Sequence, residues 1–261
     1  MGNEAATFSF LEKVILVIGG SGKVGAPLVN SLLDCGSTVI SVSRNNQDNE
    51  QGARIKEHNK IGKLLEFGCD VSTEKGIESL KFFLKKQKLS PNVLINALSY
   101  RPLDLYLSNS IHKWDEIVSK NSRSMYMIFR EFAELMSEND GGSVINISTI
   151  YAVVAPDPAI YVGLDMGTEA DYPFIKGGGL SLTRYFASYY ADRGVRFNSI
   201  ILGGVFNNQD PRFIERYIAK VPLGRMAKAN DIFGLVHLLA SDASSYITGA
   251  EIPVDGGYLL R

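Results

Sequence analysis

Apolar and polar positions alternate along this chain in two distinct patterns. Short runs rich in apolar and β-branched residues, five to seven long, read as strands buried on both faces. They are Lys13–Ile18, Thr38–Val42, Lys63–Phe67, Asn92–Asn96, Gly142–Ser148, Val195–Ile201 and Ala250–Val254. The last carries Pro253, which a sheet tolerates at its edge. Between the runs, helical periodicity marks 26–34, 50–59, 73–87, 111–137, 172–192 and 229–241. In the first of these, Leu28, Leu32 and Leu33 share one stripe, and Pro27 sits in the opening turn, where a missing N–H costs little. Strand and helix in strict alternation, joined by right-handed crossovers, predict an α/β fold. Its centre is a doubly wound parallel sheet of seven strands with helices on both faces. No Pro/Ser linker, charge run or internal repeat divides residues 1–261, so a single domain is expected.

Two intervals break the pattern. Gly19-Gly-Ser-Gly-Lys-Val-Gly25 lies between the first strand and the first helix, with Gly19, Gly22 and Gly25 three apart. Such a turn is either plain structural punctuation or a place where backbone approaches a pyrophosphate at a helix N-terminus. Its strand–turn–helix context favours the second reading. The other interval, 152–171, is rich in Pro, Gly, Asp and aromatics and has no clear element. It leaves the C-terminal end of the Gly142–Ser148 strand, where doubly wound sheets bind ligands, so a substrate-covering loop is expected. Gly203–Asp210 leaves the Val195–Ile201 strand at the same edge.

Composition narrows the partners. Apolar residues make up 45% of the chain, ample for a continuous core, and 27 basic residues nearly balance 28 acidic ones. That balance argues against a nucleic-acid groove or an anionic membrane surface. No run approaches the length of a membrane span, and Met1–Leu11 lacks the charged and apolar halves of a secretion signal, so a soluble cytoplasmic protein is expected. Cys35 and Cys69 have no metal-ligand spacing, and His58, His112 and His237 are scattered, so no metal site is expected. Trp114 heads the 111–137 helix among apolar neighbours and reads as core packing.

Candidate chemistry centres on Tyr172-Pro-Phe-Ile-Lys176. Four residues apart on a helix, the two side chains share a face. A phenol with a reference pKa of about 10 exchanges protons poorly near neutrality, and a nearby ammonium favours its phenolate. The pair is either a solvated helix face or an acid–base unit. Its place after the long loop, and before Gly177-Gly-Gly179, favours the unit.

These features, taken in order, resemble the short-chain dehydrogenase/reductase family in its branch of some 250 residues. The resemblance runs through the glycine turn, Asp70-Val71, Leu94-Ile-Asn-Ala97, Asn121, Asn146-Ile-Ser-Thr149, Tyr172/Lys176 and Asn198-Ser-Ile200. It closes with Pro222-Leu-Gly-Arg-Met226, Ser245–Gly249 and Val254-Asp-Gly-Gly257. It implies a Rossmann-type fold and a carbonyl/alcohol oxidoreductase using a nicotinamide cofactor. Tyr172 would be the general acid or base, and Lys176 would assist it and hold the nicotinamide ribose. Asn121 would keep Lys176 in place through a water. Thr149 would hold the substrate oxygen where the family has serine, with Ser148 turned away by strand alternation. Gly19, Ser21, Gly22, Lys23, Val24 and Gly25 would cradle the cofactor, and Gly203 and Val205 would border it. Asp70 and Val71 would flank the adenine, and Asn96 and Ala97 would pack on its ribose. Asn198 would be structural.

The chain departs from the family at Ile18, Lys23, Asn96-Ala-Leu-Ser99 and Leu202. No acidic residue ends the second strand. Arg44 does, 19 residues after Gly25, with Lys23 nearby, which favours NADP over the alternative, NAD. The substrate is expected to be a small carbonyl compound or alcohol of sugar type. Tyr161 and Asp157 on the long loop, with Asp165 and Glu169, would offer it an aromatic face and hydrogen-bond acceptors, and Arg101 would contact it if it is phosphorylated. Less closely, the loop and Gly203–Asp210 resemble family members of bacterial surface-sugar biosynthesis. A 3-oxoacyl-thioester reductase of fatty-acid type and a non-catalytic cofactor sensor are the competing readings. The apolar helix 172–192 and the family's habit of pairing its two long helices point to a homo-oligomer, tetramer or dimer.

Overall fold

The computed structural model describes residues 10–44, 53–56, 62–100 and 110–260, with 53–56 described by backbone alone. The apolar runs become β1 (Val14–Ile18), β2 (Thr38–Ser43), β4 (Lys63–Gly68), β5 (Val93–Asn96), β6 (Gly142–Thr149), β7 (Val195–Leu202) and β8 (Glu251–Val254). All seven pair in parallel, and an additional strand, β3 (Ala53–Lys56), adds antiparallel to β4. The sheet order is β3-β4-β2-β1-β5-β6-β7-β8. Pro253 sits on the outermost strand opposite Ile201, where a missing N–H breaks no second ladder.

Side-chain alternation divides the core into two layers. From β1, Leu16 and Ile18 join the layer formed with α2 (Glu74–Gln87), α3 (Ile111–Ser137) and α4 (Asp171–Tyr189), among them Leu80, Phe129, Phe132 and Phe186. Ile15 and Val17 join the opposite layer with α1 (Gly25–Asp34) and α6 (Phe233–Ala240), including Leu28, Leu32, Val236 and Leu239. A strand apolar on both faces belongs in the middle of such a sandwich. From β1 the chain moves outward through β2 to β4, then returns to place β5 on the other side of β1. The crevice at that reversal, outside the C-terminal ends of β1 and β5, is where an open parallel sheet takes a ligand.

Several expected elements differ. The helix expected at 50–59 is not formed where the backbone is described, because 53–56 is strand. Ala-Arg-Ile-Lys alternates with period two, and the open edge of β4 supplies hydrogen-bonding partners that a four-residue pattern cannot announce. The helix expected over 172–192 ends at Tyr189; a 3-10 turn at Ala191–Arg193 and Gly194 at φ +73° close it. The 229–241 stretch begins as a 3-10 turn, Ala229–Ile232. An unexpected helix, α5 (Pro211–Ile218), starts at Asp210, whose carboxylate accepts from Arg212 N–H, with proline in the first turn. That Asp-Pro start signal is visible in the sequence. The long loop carries two short 3-10 turns, Ile150–Ala152 and Pro158–Tyr161.

Candidate active site

The glycine turn forms one wall of a cleft of about 360 Å³ at the reversal point. Gly19 has φ +82°, and a Cβ on it would stand 2.9 Å from the carbonyl oxygen of Ala97, so the turn lies directly against the end of β5. At Gly25 a Cβ would collide with Gly19 O at 2.1 Å; this glycine lets the helix start close under the turn. Gly22 is the more open of the set, with Gly19 O at 3.1 Å as its nearest such neighbour. Gly20, unmarked in the sequence, packs against Ser41 of β2. The residue before α1, Val24, makes no side-chain cap, so the first N–H groups of α1 lack one.

Ser21, Lys23, Val24, Arg44, Asp70, Val71 and Ala97 also line this cleft. Burial pushes the Asp70 carboxyl up, but Ser72 N–H and hydroxyl donate to Oδ1 at 2.9 and 2.7 Å. With the fields of Arg44 and Lys120 they hold it below its ordinary value. Asn96 does not line the cleft. Its side chain is buried, donating to Asn146 Oδ1 at 3.0 Å and accepting from Leu98 N–H at 3.3 Å, because the last residue of β5 alternates inward.

A second cavity, about 340 Å³, adjoins the first, with Val24, Ala97 and Ser99 lining both. Tyr172, Lys176, Thr149, Gly203, Val205 and Tyr161 are brought together there, and so is Ser148, which strand alternation was expected to turn away. Lys176 Nζ donates to the carbonyls of Ile147 and Leu98 at 3.1 and 3.3 Å, which ties α4 to the ends of β6 and β5. Ser148 donates to Lys176 O at 3.4 Å, whereas Thr149 Oγ1 accepts from Tyr151 N–H at 3.4 Å. The Asn121 carboxamide is bonded to backbone: it donates to Tyr100 O and Ile117 O at 2.9 and 2.8 Å and accepts from Tyr100 N–H. It secures the segment after β5. Asn198 is likewise structural, bonding Ile247 O and Ala250 N–H.

Of the far wall of this cavity the sequence marked Tyr161, and the fold supplies the rest. Tyr151, Tyr161 and Thr168 form a chain of hydroxyls at 3.0 and 2.9 Å, and Phe213, Tyr217, Met166, Met226 and Gln209 share the lining. Burial pushes the Tyr151 phenol far up and that of Tyr217 to about 12; the latter accepts from Gly204 N–H. Helix α5 supplies Phe213 and Tyr217, and Arg216 and Lys220 latch it to the loop, on Val162 O and Asp157 at 2.6 Å each. Asp157 therefore stands outside the cavity. It caps the Pro158–Tyr161 turn and pairs with Lys220, whose hydrogen bond, ahead of that from Ala159 N–H, holds its carboxyl low. Asp165 and Glu169 do not line the cavity either. Arg101 and His58 lie outside the described residues. Among the described residues no group of His, Cys, Asp or Glu is placed to hold a metal ion.

The two cavities fit a dinucleotide laid across the switch point. A Cβ-free turn and an uncapped helix start suit the pyrophosphate, Asp70 and Arg44 stand at one end, and Tyr172 and Lys176 stand at the other.

Comparison with known proteins adds the following. A family model described as enoyl-(acyl carrier protein) reductase matches residues 24–259. D-arabinitol 2-dehydrogenase (ribulose-forming) of Candida tropicalis is 26% identical over 98% of this chain and 95% of its own length. A 3-oxoacyl-(acyl-carrier-protein) reductase of Thermotoga maritima is 24% identical, covering 95% of this chain and 98% of its own. A solved short chain dehydrogenase from Leptospira borgpetersenii serovar Hardjo-bovis, with bound NAD+, has a TM-score of 0.85 at 30% identity. That match covers 99% of this chain and 98% of that one.

Proposed function

The chain belongs to the short-chain dehydrogenase/reductase family of NAD(P)-dependent oxidoreductases, and from that premise we propose that it interconverts a carbonyl and a secondary alcohol on a small polyhydroxylated, sugar-like molecule with NADP. The observation that carries this reading is the shared wall of the two cavities, a glycine cradle with Arg44 on one side and Tyr172, Lys176 and Thr149 on the other. The nicotinamide, when bound, supplies or accepts the hydride. Everything else falls to the chain. Gly19, Ser21, Gly22, Lys23, Val24 and Gly25 hold the pyrophosphate, Asp70 and Val71 border the adenine, and Gly203 and Val205 face the cavity from the end of β7.

Thr149 Oγ1 donates to the substrate oxygen and fixes its position. Tyr172 gives its phenolic proton to that oxygen in reduction and takes it back in oxidation. Lys176, anchored by the Leu98 and Ile147 carbonyls, places a positive charge beside the phenolate left behind. Asn121 acts at one remove, by clamping Tyr100 and thus the segment whose Leu98 carbonyl holds Lys176.

Support for a hydroxylated substrate comes from the Tyr151–Tyr161–Thr168 chain rather than from loop carboxylates, and from the sugar-alcohol relative. Arg44 at the end of β2 supports NADP. A second reading, reduction of a 3-oxoacyl thioester, is favoured by the Thermotoga relative and by Met166, Met226 and Phe213 in the lining. Nicotinamide absorbance with keto-sugars, their alcohols and acetoacetyl thioesters separates the two. Turnover is expected with the sugar class and NADPH; turnover confined to thioesters overturns the substrate, and tighter binding of NADH than NADPH overturns the cofactor.

A further inference from the structure

At the adenosine end of the cleft, one aromatic ring gathers two cations. The guanidinium carbon of Arg44 lies 4.6 Å from the ring centroid of Tyr100, and Lys120 Nζ lies 4.5 Å from the same point. All three residues line the cleft. The ring is itself held. Its hydroxyl donates to Glu116 Oε1 at 2.8 Å and accepts from Lys120 at 3.4 Å, while Lys120 pairs with Glu116 at 2.7 Å. The main chain of Tyr100 is bonded through both N–H and carbonyl to Asn121, on the same helix as Glu116 and Lys120. Tyr100 is thus fastened to α3 at both ends of the residue.

That geometry matters for what Arg44 can do. A guanidinium that stacks on a ring face engages through its flat side, while its five N–H donors lie in its own plane. Those in-plane donors match the oxygens of a phosphate bidentately. A long exposed arginine with no such rest has to be ordered when a ligand binds. Lys120, committed to Glu116, fixes the ring.

On the NADP reading above, we propose that Tyr100 is the positioning residue for the 2′-phosphate cation. Its ring holds Arg44 by the flat face and leaves the guanidinium edge for the phosphate. Choice between NADPH and NADH is then set from the segment after β5 as well as from the end of β2. The two residues are 56 positions apart, and only the fold brings them together.

Calorimetric titration of the full chain with NADPH and with NADH tests this for the parent, Tyr100→Leu, Tyr100→Phe and Arg44→Gln. Tyr100→Met replaces the leucine variant should that one fail to fold. Loss of the ring should weaken NADPH by about tenfold, the scale of one partly desolvated cation–π contact, while NADH binding holds. Tyr100→Phe keeps the ring and should keep most of the preference. If leucine weakens both cofactors equally, Tyr100 is only a wall of the adenosine pocket and the proposal fails. It fails also if phenylalanine loses as much as leucine, since the hydroxyl network would then be responsible. A parent without preference for NADPH, or Arg44→Gln binding NADPH as the parent does, overturns the cofactor reading and this proposal together. A preference lost in Arg44→Gln but intact in Tyr100→Leu overturns the positioning role alone.

Discussion

At the scale of single residues, the proposed proton carrier and a half-buried imidazole make opposite kinds of demand. Tyr172 lines the second cavity one helical turn from Lys176, so on the proposed mechanism Tyr172→Phe removes the proton and little else. Its kcat should fall by about 10²–10⁴-fold, the worth of general acid–base catalysis, with the dissociation constant for NADPH nearly unchanged. Parent-level turnover in that variant would remove the tyrosine from the mechanism. His237 acts on stability instead. Its ring lies against Phe10 at 5.4 Å, with Nε2 at 3.1 Å from Ser31 Oγ, and burial lowers its pKa from 6.5. The folded state then holds its neutral form more strongly than the unfolded state does. The contribution is complete above about pH 6.5, and it drains away as pH falls through the lower folded value. Thermal melts should show a steeper loss between pH 7 and pH 5 for the parent than for His237→Gln. Parallel curves would mean that the ring titrates alike in both states.

At the scale of elements, the long loop and α5 work as one wall. The loop leaves β6 directly after Thr149 and returns at Asp171, next to Tyr172, and α5 is latched to it through Arg216 and Lys220. Shortening the loop between Pro156 and Gly167 removes Tyr161 from the hydroxyl chain. Buried hydroxyl contacts left unmade cost about 1–3 kcal/mol, so kcat/KM for sugar-class substrates should drop about 5- to 150-fold relative to acyl thioesters. An unchanged ratio would reduce the loop to a surface insertion. Local sequence rules account for part of this wall. Asp210-Pro211 announces α5, yet the carboxylate of Asp157, which looked available to substrate, is held by the turn it caps and by Lys220. Capping is a short-range matter, but the lysine that completes it lies just past the end of α5 and has no local signature.

At the scale of the whole molecule, the outer face of the α3–α4 pair is unusually aromatic. Tyr126, Phe174, Tyr185 and Tyr189 are each more than 40% exposed, while Phe186 and Tyr190 on the same helix turn are buried. Grouped exposed aromatics on two adjacent long helices suit a self-complementary contact between copies of the chain. Sedimentation at micromolar concentration should give a multiple of the 28.6 kDa chain, and Tyr185→Glu with Tyr189→Glu should shift it toward the single chain. A parent that sediments as a monomer would count against the pairing. Among the described residues no helix is long and apolar enough to cross a membrane.

The sequence by itself determined what depends on neighbours along the chain. The seven parallel strands show because each is a short run rich in apolar and β-branched residues, the glycine turn because it interrupts strand and helix at once, and Tyr172 with Lys176 because a spacing of four defines a helix face. Only the tertiary structure decided what depends on meeting across the fold. It turned Asn96 inward to Asn146, joined Tyr151 to Tyr161 and Thr168, and set Arg44 over Tyr100. It also gave Ala53–Lys56 a partner in β4, and with it a strand in place of a helix. Periodicity is a property of the backbone and repeats locally. A hydrogen bond or a cation over a ring is a coincidence of two distant side chains, and only packing of the intervening elements brings the two within reach.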